Sequence, residues 1–228
     1  LLPTLCDTAA IYGPNAPAFG MEPWHPALFD AFALLTGKRA AFENYPRWQY
    51  AALRDEEHPL LPYHLDRETK LRCFCPDAHG DMKETEAPLT LRGRLLGGCL
   101  DVLRGLAGTS YDRTEAFLRR YPDEPLLWFF ESCDLNVFDM ERSLWQLEHC
   151  GWFSRVGGFL IGRPLHFDEP LFGLDQYAAV LHRLEKYRVP IIMDADFGHL
   201  PPALPLVSGA LATVARRGNS LRLSYDFH

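Results

Sequence analysis

The C-terminal half of the chain alternates apolar runs of strand length with amphipathic segments of helical period. Continuous apolar runs at 126–130, 156–161 and 189–193 predict three buried β-strands. Amphipathic helices are predicted between them, at 136–150 and 174–187. Strands that are apolar on both faces need helices on both sides of their sheet. The order therefore predicts a parallel βαβαβ unit in an α/β fold.

Shorter elements are predicted around this unit. They are strands at 9–13 and 89–96, helices at 26–36, 99–107 and 112–120, and a terminal hairpin of two apolar runs at 206–215 and 220–227. Gly97-Gly98 predicts a turn between the second strand and the helix that follows it. Residues 54–88 are rich in charge and proline and have little periodicity, so they predict a mostly irregular connector with short strands near 70–74.

The composition of the 228-residue chain narrows its classes of partner. Apolar residues make up 47% of it, enough for a buried core, and the net charge of −7 comes without a basic cluster. Nucleic-acid binding needs concentrated Lys and Arg, so no nucleic-acid partner is expected. No apolar run has the length of a membrane span, so no membrane partner is expected.

Six cysteines without a Cys-x-x-Cys pair argue against structural zinc and favour free thiols in a reducing cytoplasm.

Two polar side chains follow the predicted parallel strands. Glu131 comes directly after the first apolar run, and His199 lies in a short loop after the third. The carboxyl ends of parallel strands meet at one edge of a sheet, so the two residues are predicted to lie together. A histidine on such a loop suits a general base. Taken alone, Glu131 is also typical of a solvated residue at the end of a strand. His199 alone is also typical of a loop histidine that hydrogen-bonds to nearby groups.

A metal site is an alternative use of the same sheet edge. Asp194 and Asp196 could join Glu131 and His199 as ligands of a divalent ion. However, Asp-x-Asp-x-x-His is a loose pattern and His-Glu-x-x-His is absent, so no metal is expected. Gly97-Gly98 has two interpretations, a helix N-terminus that meets an anion or close packing of a helix on a strand.

Glu131 and His199 would need a nucleophile to form a catalytic set, and no residue of the chain suits that role. Ser110 follows a helix and Ser220 lies on the terminal hairpin, so neither has the strand-to-helix turn that a nucleophilic serine needs. Cys133 is close to Glu131, but acidic neighbours raise the pKa of a thiol and disfavour the thiolate. The chain opens at Leu1-Leu2-Pro3 without Met or a signal-peptide pattern, which predicts that it begins inside a larger protein.

Six stretches of the chain, in order, resemble segments of one family. They are 11–15 (Ile-Tyr-Gly-Pro-Asn), 93–103 with the Gly-Gly motif, 127–132 (Leu-Trp-Phe-Phe-Glu-Ser), 141–147, 157–163 and 190–199. Together they resemble the serine peptidases that include LD-carboxypeptidases (muramoyltetrapeptide carboxypeptidases) and microcin C immunity proteins. The resemblance covers essentially the whole chain.

This resemblance implies a Ser-Glu-His triad in which Glu131 and His199 are two catalytic members. It places the serine in a Gly-x-Ser-Asp turn shortly before the stretch that begins at Leu1. One position departs from the family's pattern, because Cys99 stands where Asn commonly follows the Gly-Gly motif. The resemblance therefore does not carry a polar role over to Cys99.

The resemblance also implies a division of the chain. Residues 1–53 correspond to the C-terminal remnant of a nucleophile-bearing α/β domain, and 54–88 to a connector. Residues 89–228 correspond to a C-terminal α/β domain, with a parallel βαβαβ core and a terminal hairpin, that carries the Glu and the His.

The activity that the resemblance implies is that of a serine carboxypeptidase without a cofactor. Its substrate would be a small peptide with a free carboxylate, such as a cell-wall tetrapeptide, or a peptidyl-nucleotide compound. The family resemblance also implies a homodimer. The alternative, which the missing nucleophile favours, is a catalytically inert domain or binding module that retains the cleft. A metal hydrolase is the third hypothesis.

Overall fold

The structure, a computed structural model, describes residues 2–227, so the predictions for Leu1 and His228 lie outside the described residues. Its helices are α1 (Leu2–Cys6), α2 (Pro26–Leu35), α3 (Leu100–Leu106), α4 (Thr114–Arg120), α5 (Val137–His149) and α6 (Gln176–Leu184). Its strands are β1 (Ala10–Tyr12), β2 (Ala41–Glu43), β3 (Arg47–Trp48), β4 (Arg67–Glu68), β5 (Arg72–Pro76), β6 (Met82–Glu84), β7 (Leu89–Cys99), β8 (Leu126–Glu131), β9 (Val156–Gly162), β10 (Ile191–Ala195), β11 (Leu206–Ser208), β12 (Leu211–Arg217) and β13 (Ser220–Asp226).

The central sheet has nine strands in the order β2-β13-β12-β7-β8-β9-β10-β5-β6. Its middle strands, β7 to β10, pair in parallel, and the strands on both sides of them are antiparallel. The α/β fold with a parallel core is therefore confirmed, and β7 adds a fourth strand to the predicted unit. The terminal hairpin is confirmed as well, with β12 paired to β13 up to Arg217 and Ser220.

Strand β8 shows why its sequence is apolar without interruption. Leu127 and Phe129 belong to the core on one face of the sheet, whereas Trp128 and Phe130 belong to the core on the other. Successive side chains of a strand point to opposite faces, so a strand that is covered on both sides is apolar up to its last residue, here Glu131. The same alternation places Glu131 on the face of Leu127 and Phe129.

Helix α5 forms where the helical period predicted it. The Asn136 side chain accepts hydrogen bonds from the backbone N–H groups of Phe138 and Asp139 and so caps the first turn. Met140, Leu144 and Leu147 are buried on one face of the helix, against the sheet. Helix α6 is shorter than its prediction, because the chain tightens into a 3₁₀ turn at Glu185–Tyr187.

The turn predicted at Gly97-Gly98 is wrong, since β7 continues through both glycines to Cys99. Gly97 pairs with Phe129 across β7 and β8. It has φ +152°, and a Cβ atom there would lie 1.8 Å from the Phe129 carbonyl oxygen. Gly97 therefore allows β7 and β8 to approach each other closely. In the sequence, a glycine with this role looks the same as a glycine in a turn.

The predicted division at 54–88 stays a prediction, and the sheet runs across both of its boundaries. Strand β2 pairs with β13, and β5 pairs with β10. The predicted connector contains three strands, β4 to β6. All six cysteines are free. Within residues 2–227, no helix has the length and apolar character that a bilayer span requires.

Candidate active site

The carboxyl ends of β7, β8 and β10 bring the predicted site residues together. Glu131 is the last residue of β8 and lies opposite Cys99, the last residue of β7. His199 follows the end of β10 by four residues and turns back over the same edge. Its Nδ1 atom lies 2.7 Å from Oε2 of Glu131. Topology thus joins the two side chains that were predicted to meet.

Glu131 is held from two sides in a buried position. Its side chain is 0% exposed, against 41% for His199. The Tyr12 hydroxyl donates a hydrogen bond to Oε1 of Glu131 at 2.8 Å. Burial, with the nearby carboxylate, raises the pKa of Tyr12 far above its ordinary value. The phenol therefore stays protonated and acts as a donor. Tyr12 belongs to the stretch 11–15, but no sequence signal gave it this role.

The carboxylate sets the tautomer of the His199 ring. An ionised carboxylate only accepts hydrogen bonds, so Nδ1 carries the ring proton and Nε2 carries the lone pair. The hydrogen bond to Glu131 raises the pKa of His199, and partial burial of the ring opposes that shift. The charged imidazolium is thus stabilised relative to an isolated histidine. These are the properties of a general base that a carboxylate orients.

Gly198 lets the histidine loop pass close to the carboxylate. It has φ +111°, a conformation that favours glycine. A Cβ atom at this position would lie 3.0 Å from Cβ of Glu131. Gly198 therefore helps to set the distance between the His199 loop and the end of β8.

Asp101, in the first turn of α3, fixes the chain that follows Glu131. Its carboxylate accepts the backbone N–H groups of Cys133 at 2.9 Å and Asp134 at 2.8 Å. It also accepts the Cys99 thiol at 3.3 Å. Because a side chain from one element satisfies the backbone of another, sequence patterns did not identify this contact.

Neither thiol near the pair is a ready nucleophile. Burial, followed by the charge of Glu131, raises the pKa of Cys99 far above its ordinary value. Burial, followed by the charge of Asp134, raises the pKa of Cys133. Both groups are therefore held as neutral thiols, which agrees with the prediction that acidic neighbours disfavour a Cys133 thiolate.

Asp194 and Asp196 do not join the pair, so the four-ligand metal alternative is not assembled. Asp196 is buried in an ion pair with Arg163 and accepts the backbone N–H of Tyr45 at 2.6 Å. Asp194 accepts the Tyr177 hydroxyl at 2.8 Å and lines a different cavity. Burial raises its pKa to about 6. Each carboxylate thus has its own partner away from His199.

A cleft of about 550 Å³ opens in front of the pair, within the size range of small-molecule sites. Tyr12, Cys99, Glu131 and His199 line it from the sheet edge. Arg54 also lines it, from the segment predicted to be a connector. No motif marked Arg54, because its place at the cleft depends on how a segment with little periodicity packs.

Comparison with known proteins identifies one family for this chain. Residues 92–214 match the family described as LD-carboxypeptidase C-terminal domain. A provisionally named carboxypeptidase of Streptomyces coelicolor is 32% identical over 136 residues, which cover 60% of this chain and 41% of that protein. Another from Vibrio cholerae is 26% identical over 133 residues, which cover 58% of this chain and 37% of that protein.

Solved structures show the same fold. The microcin C7 self-immunity protein MccF superposes with a TM-score of 0.71 at 19% identity, covering 99% of this chain and 63% of that one. An MccF-like protein from Streptococcus pneumoniae gives 0.69 at 19% identity, with 96% and 64% covered. A muramoyltetrapeptide carboxypeptidase from Oxalobacter formigenes gives 0.64 at 16%, with 97% and 62% covered. The chain thus spans about two fifths of the curated relatives and less than two thirds of the solved proteins.

Proposed function

This chain belongs to the LD-carboxypeptidase family through its C-terminal domain, and from that membership we propose that it contributes the base and its orienting carboxylate to a serine carboxypeptidase. The observation that carries the proposal is the 2.7 Å contact between Nδ1 of His199 and the buried carboxylate of Glu131, at the wall of a cleft. The peptidase family and the fold both favour this use of the pair over an inert binding module.

His199 acts as the proton carrier of the proposed reaction. A serine, which we propose lies upstream of Leu1, attacks the carbonyl carbon of the scissile amide. Nε2 of His199 takes the hydroxyl proton and later gives it to the leaving amine. Glu131 keeps the ring proton on Nδ1 and stabilises the imidazolium that forms. A serine nucleophile is supported by an MccF structure of an active-site variant in which a serine, an asparagine and a lysine are replaced by alanine.

The substrate that we propose is a small peptidyl compound with a free carboxylate. One solved relative is named a muramoyltetrapeptide carboxypeptidase, which supports a cell-wall tetrapeptide that loses its terminal D-Ala. MccF has been solved with glutamyl sulfamoyl guanosine and with aspartyl sulfamoyl adenosine, which supports a peptidyl-nucleotide compound instead. The two classes share an amide or acyl linkage beside an anionic group.

Arg54 is the group that we assign to the substrate's carboxylate. Among the described residues that line the cleft, it alone is a lysine or arginine. Its Nε donates to the Leu61 carbonyl at 2.6 Å, whereas its Nη2 is buried without a hydrogen-bond partner. A guanidinium with an unused donor suits a carboxylate. Replacing Arg54 with Met should raise KM for a free-acid peptide more than for its C-terminal amide.

The decisive experiment is turnover by the full-length protein with both substrate classes, measured by mass spectrometry of the products. His199→Ala and Glu131→Ala should each lower kcat by about 10⁴-fold or more. His79→Ala is the matched control, because His79 is exposed in a remote turn and does not line the cleft. Native turnover by Glu131→Ala would remove its assigned role. No turnover by the unaltered protein, with either substrate, would favour the inert alternative.

Location and assembly stay predictions in this proposal. The free cysteines are compatible with a reducing cytoplasm, and the homodimer rests on the resemblance alone.

A further inference from the structure

Three potential metal ligands of different chemistry meet at the end of the parallel strands. They are the thiol of Cys99, the carboxylate of Glu131 and the imidazole of His199, and one ligand atom from each lies within 4.8 Å of the others. Cys99 and Glu131 are direct neighbours in the β7–β8 register. All three residues line the cleft, where His199 is exposed, Cys99 is half-buried and the Glu131 side chain is buried, so an ion from solvent enters past His199.

This donor set fits Zn²⁺ better than a hard cation. Thiolate, imidazole and carboxylate are its usual protein ligands, and three of them leave a fourth tetrahedral position for water. Tetrahedral zinc, with bonds of about 2.0–2.3 Å, spaces its ligand atoms about 3.5 Å apart. Ligand atoms within 4.8 Å of one another can reach that spacing through small shifts, which bring the more distant atoms closer and move the Glu131–His199 pair apart.

We propose that Cys99, Glu131 and His199 form a Zn²⁺ site that excludes the hydrogen bond between the glutamate and the histidine. The 2.7 Å between Nδ1 and Oε2 accommodates a proton, whereas two zinc ligands must stand about 3.4 Å apart. Binding therefore separates the two side chains while the ring proton moves from Nδ1 to Nε2, or it turns the ring so that Nε2, which carries the lone pair, faces the ion. His199 is 41% exposed on a loop that contains Gly198, so it is the side chain that can move.

The surroundings of the site are compatible with a bound cation. The Cys99 thiol loses its proton to solvent as the zinc–sulfur bond forms, since a metal-bound thiol is deprotonated. Asp101 accepts that thiol proton at 3.3 Å in the free protein and adds negative charge beside the ion. Tyr12 keeps its bond to Oε1 of Glu131, which leaves Oε2 for the metal.

Zn²⁺ bound at this site should also inhibit the peptidase, and this expectation rests on the proposed function. In either arrangement Nε2 of His199 is protonated or bound to zinc, so it cannot accept the serine proton. Metal binding and catalysis are therefore mutually exclusive uses of the same side chains. Binding itself can be measured without any substrate, which separates the two statements experimentally.

The test uses Co²⁺ as a spectroscopic probe on the full-length protein with its cysteines reduced. We expect one Co²⁺ per chain, visible d–d bands of a tetrahedral ion, and a near-ultraviolet thiolate-to-cobalt charge-transfer band. Zn²⁺ should displace the cobalt and abolish both signals. Absence of the charge-transfer band, or a metal that binds only through oxygen ligands, would overturn the proposal.

Matched variants identify the ligands. Cys99→Ser should abolish the charge-transfer band and weaken Co²⁺ binding by about tenfold or more, the lower limit expected for disturbing a metal site. Cys133→Ser is the control, because that thiol follows Glu131 closely but is not in the ligand cluster. His199→Gln provides a second variant, read by the d–d bands, if the serine variant does not fold. An unchanged spectrum in Cys99→Ser, or its loss in Cys133→Ser, would contradict the assignment.

Inhibition of turnover by Zn²⁺ is measured separately from metal binding. Zn²⁺ should inhibit the unaltered enzyme with an inhibition constant equal to the Zn²⁺ dissociation constant that cobalt displacement gives once the competing Co²⁺ concentration is included. The Cys99→Ser enzyme should need at least about tenfold more Zn²⁺. A protein that binds zinc but hydrolyses neither substrate would refute the proposed function and leave the metal site standing. A turning-over enzyme without the cobalt signature would refute the metal site alone.

Discussion

Replacing Glu131 with glutamine tests how the site controls the His199 ring, because the side chain keeps its shape but exchanges an acceptor for a donor. The native carboxylate accepts two hydrogen bonds, from the Tyr12 hydroxyl at 2.8 Å and from His199 Nδ1 at 2.7 Å. A glutamine amide has one acceptor oxygen and one donor nitrogen. It can therefore accept from only one of the two partners.

The two orientations of the amide differ in what they leave unpaired. If the oxygen faces His199, the correct tautomer survives, but the partly buried Tyr12 hydroxyl loses the acceptor of its proton. That loss costs about 1–3 kcal/mol. If the oxygen faces Tyr12, the amide nitrogen donates to Nδ1, the ring proton moves to Nε2, and every polar atom keeps a partner. The second orientation should dominate by about 5- to 150-fold.

A ring protonated on Nε2 cannot accept the serine proton. We therefore expect Glu131→Gln to lower kcat/KM by about 10⁴-fold, as a wrong tautomer does in Ser-His-Asp enzymes. The tautomer preference accounts for a factor of about 5–150, and the missing negative charge behind the imidazolium accounts for the rest. ¹⁵N NMR of the ring nitrogens, recorded well above the pKa of His199, measures the tautomer independently of turnover.

A double variant completes the test. Adding Tyr12→Phe to Glu131→Gln removes the hydroxyl that selects the amide orientation, so the ring proton should return to Nδ1 in a large fraction of molecules. The double variant should then be about tenfold more active than Glu131→Gln alone. An Nδ1-protonated ring in the single variant, or a double variant with no recovered activity, would refute the reasoning.

The hydrogen bond to the carboxylate raises the pKa of His199 above 6.5, so the base stays protonated until the pH exceeds that value. The ratio kcat/KM should therefore rise through an apparent pKa above 6.5. A pH–rate profile with its acid limb at or below 6.5 would contradict this. Gly97→Ala puts Cβ 1.8 Å from the Phe129 carbonyl oxygen and should destabilise the fold by about 1–3 kcal/mol or more, so an unchanged urea midpoint would be inconsistent with that contact. Asp196→Asn leaves the buried Arg163 guanidinium without its counter-ion, which should lower the free energy of unfolding by about 3–5 kcal/mol in urea titrations. A loss within about 0.5 kcal/mol would show that the pair behaves like a surface ion pair.

The pattern of apolar and polar residues is enough to predict the parallel core and the edge at which its polar residues gather. An apolar run such as that of β8 reports burial on both faces, and burial on both faces requires helices above and below the sheet. Parallel strands then place their carboxyl ends at one edge. Glu131 and His199 could be predicted to meet for that reason, although neither residue carries a distinctive motif of its own.

The partners of each polar group depend on contacts that exist only in the folded chain. Tyr12 holds the carboxylate and Asp101 holds the chain behind it, across long separations in the sequence. Asp194 and Asp196, at and just after the end of β10, were the ligands of the metal alternative in the sequence, but Arg163 and Tyr177 satisfy them elsewhere. Local patterns report the burial and the period of a segment. They carry no information on the register between distant strands, and register sets the distances of hydrogen bonds and ligand clusters.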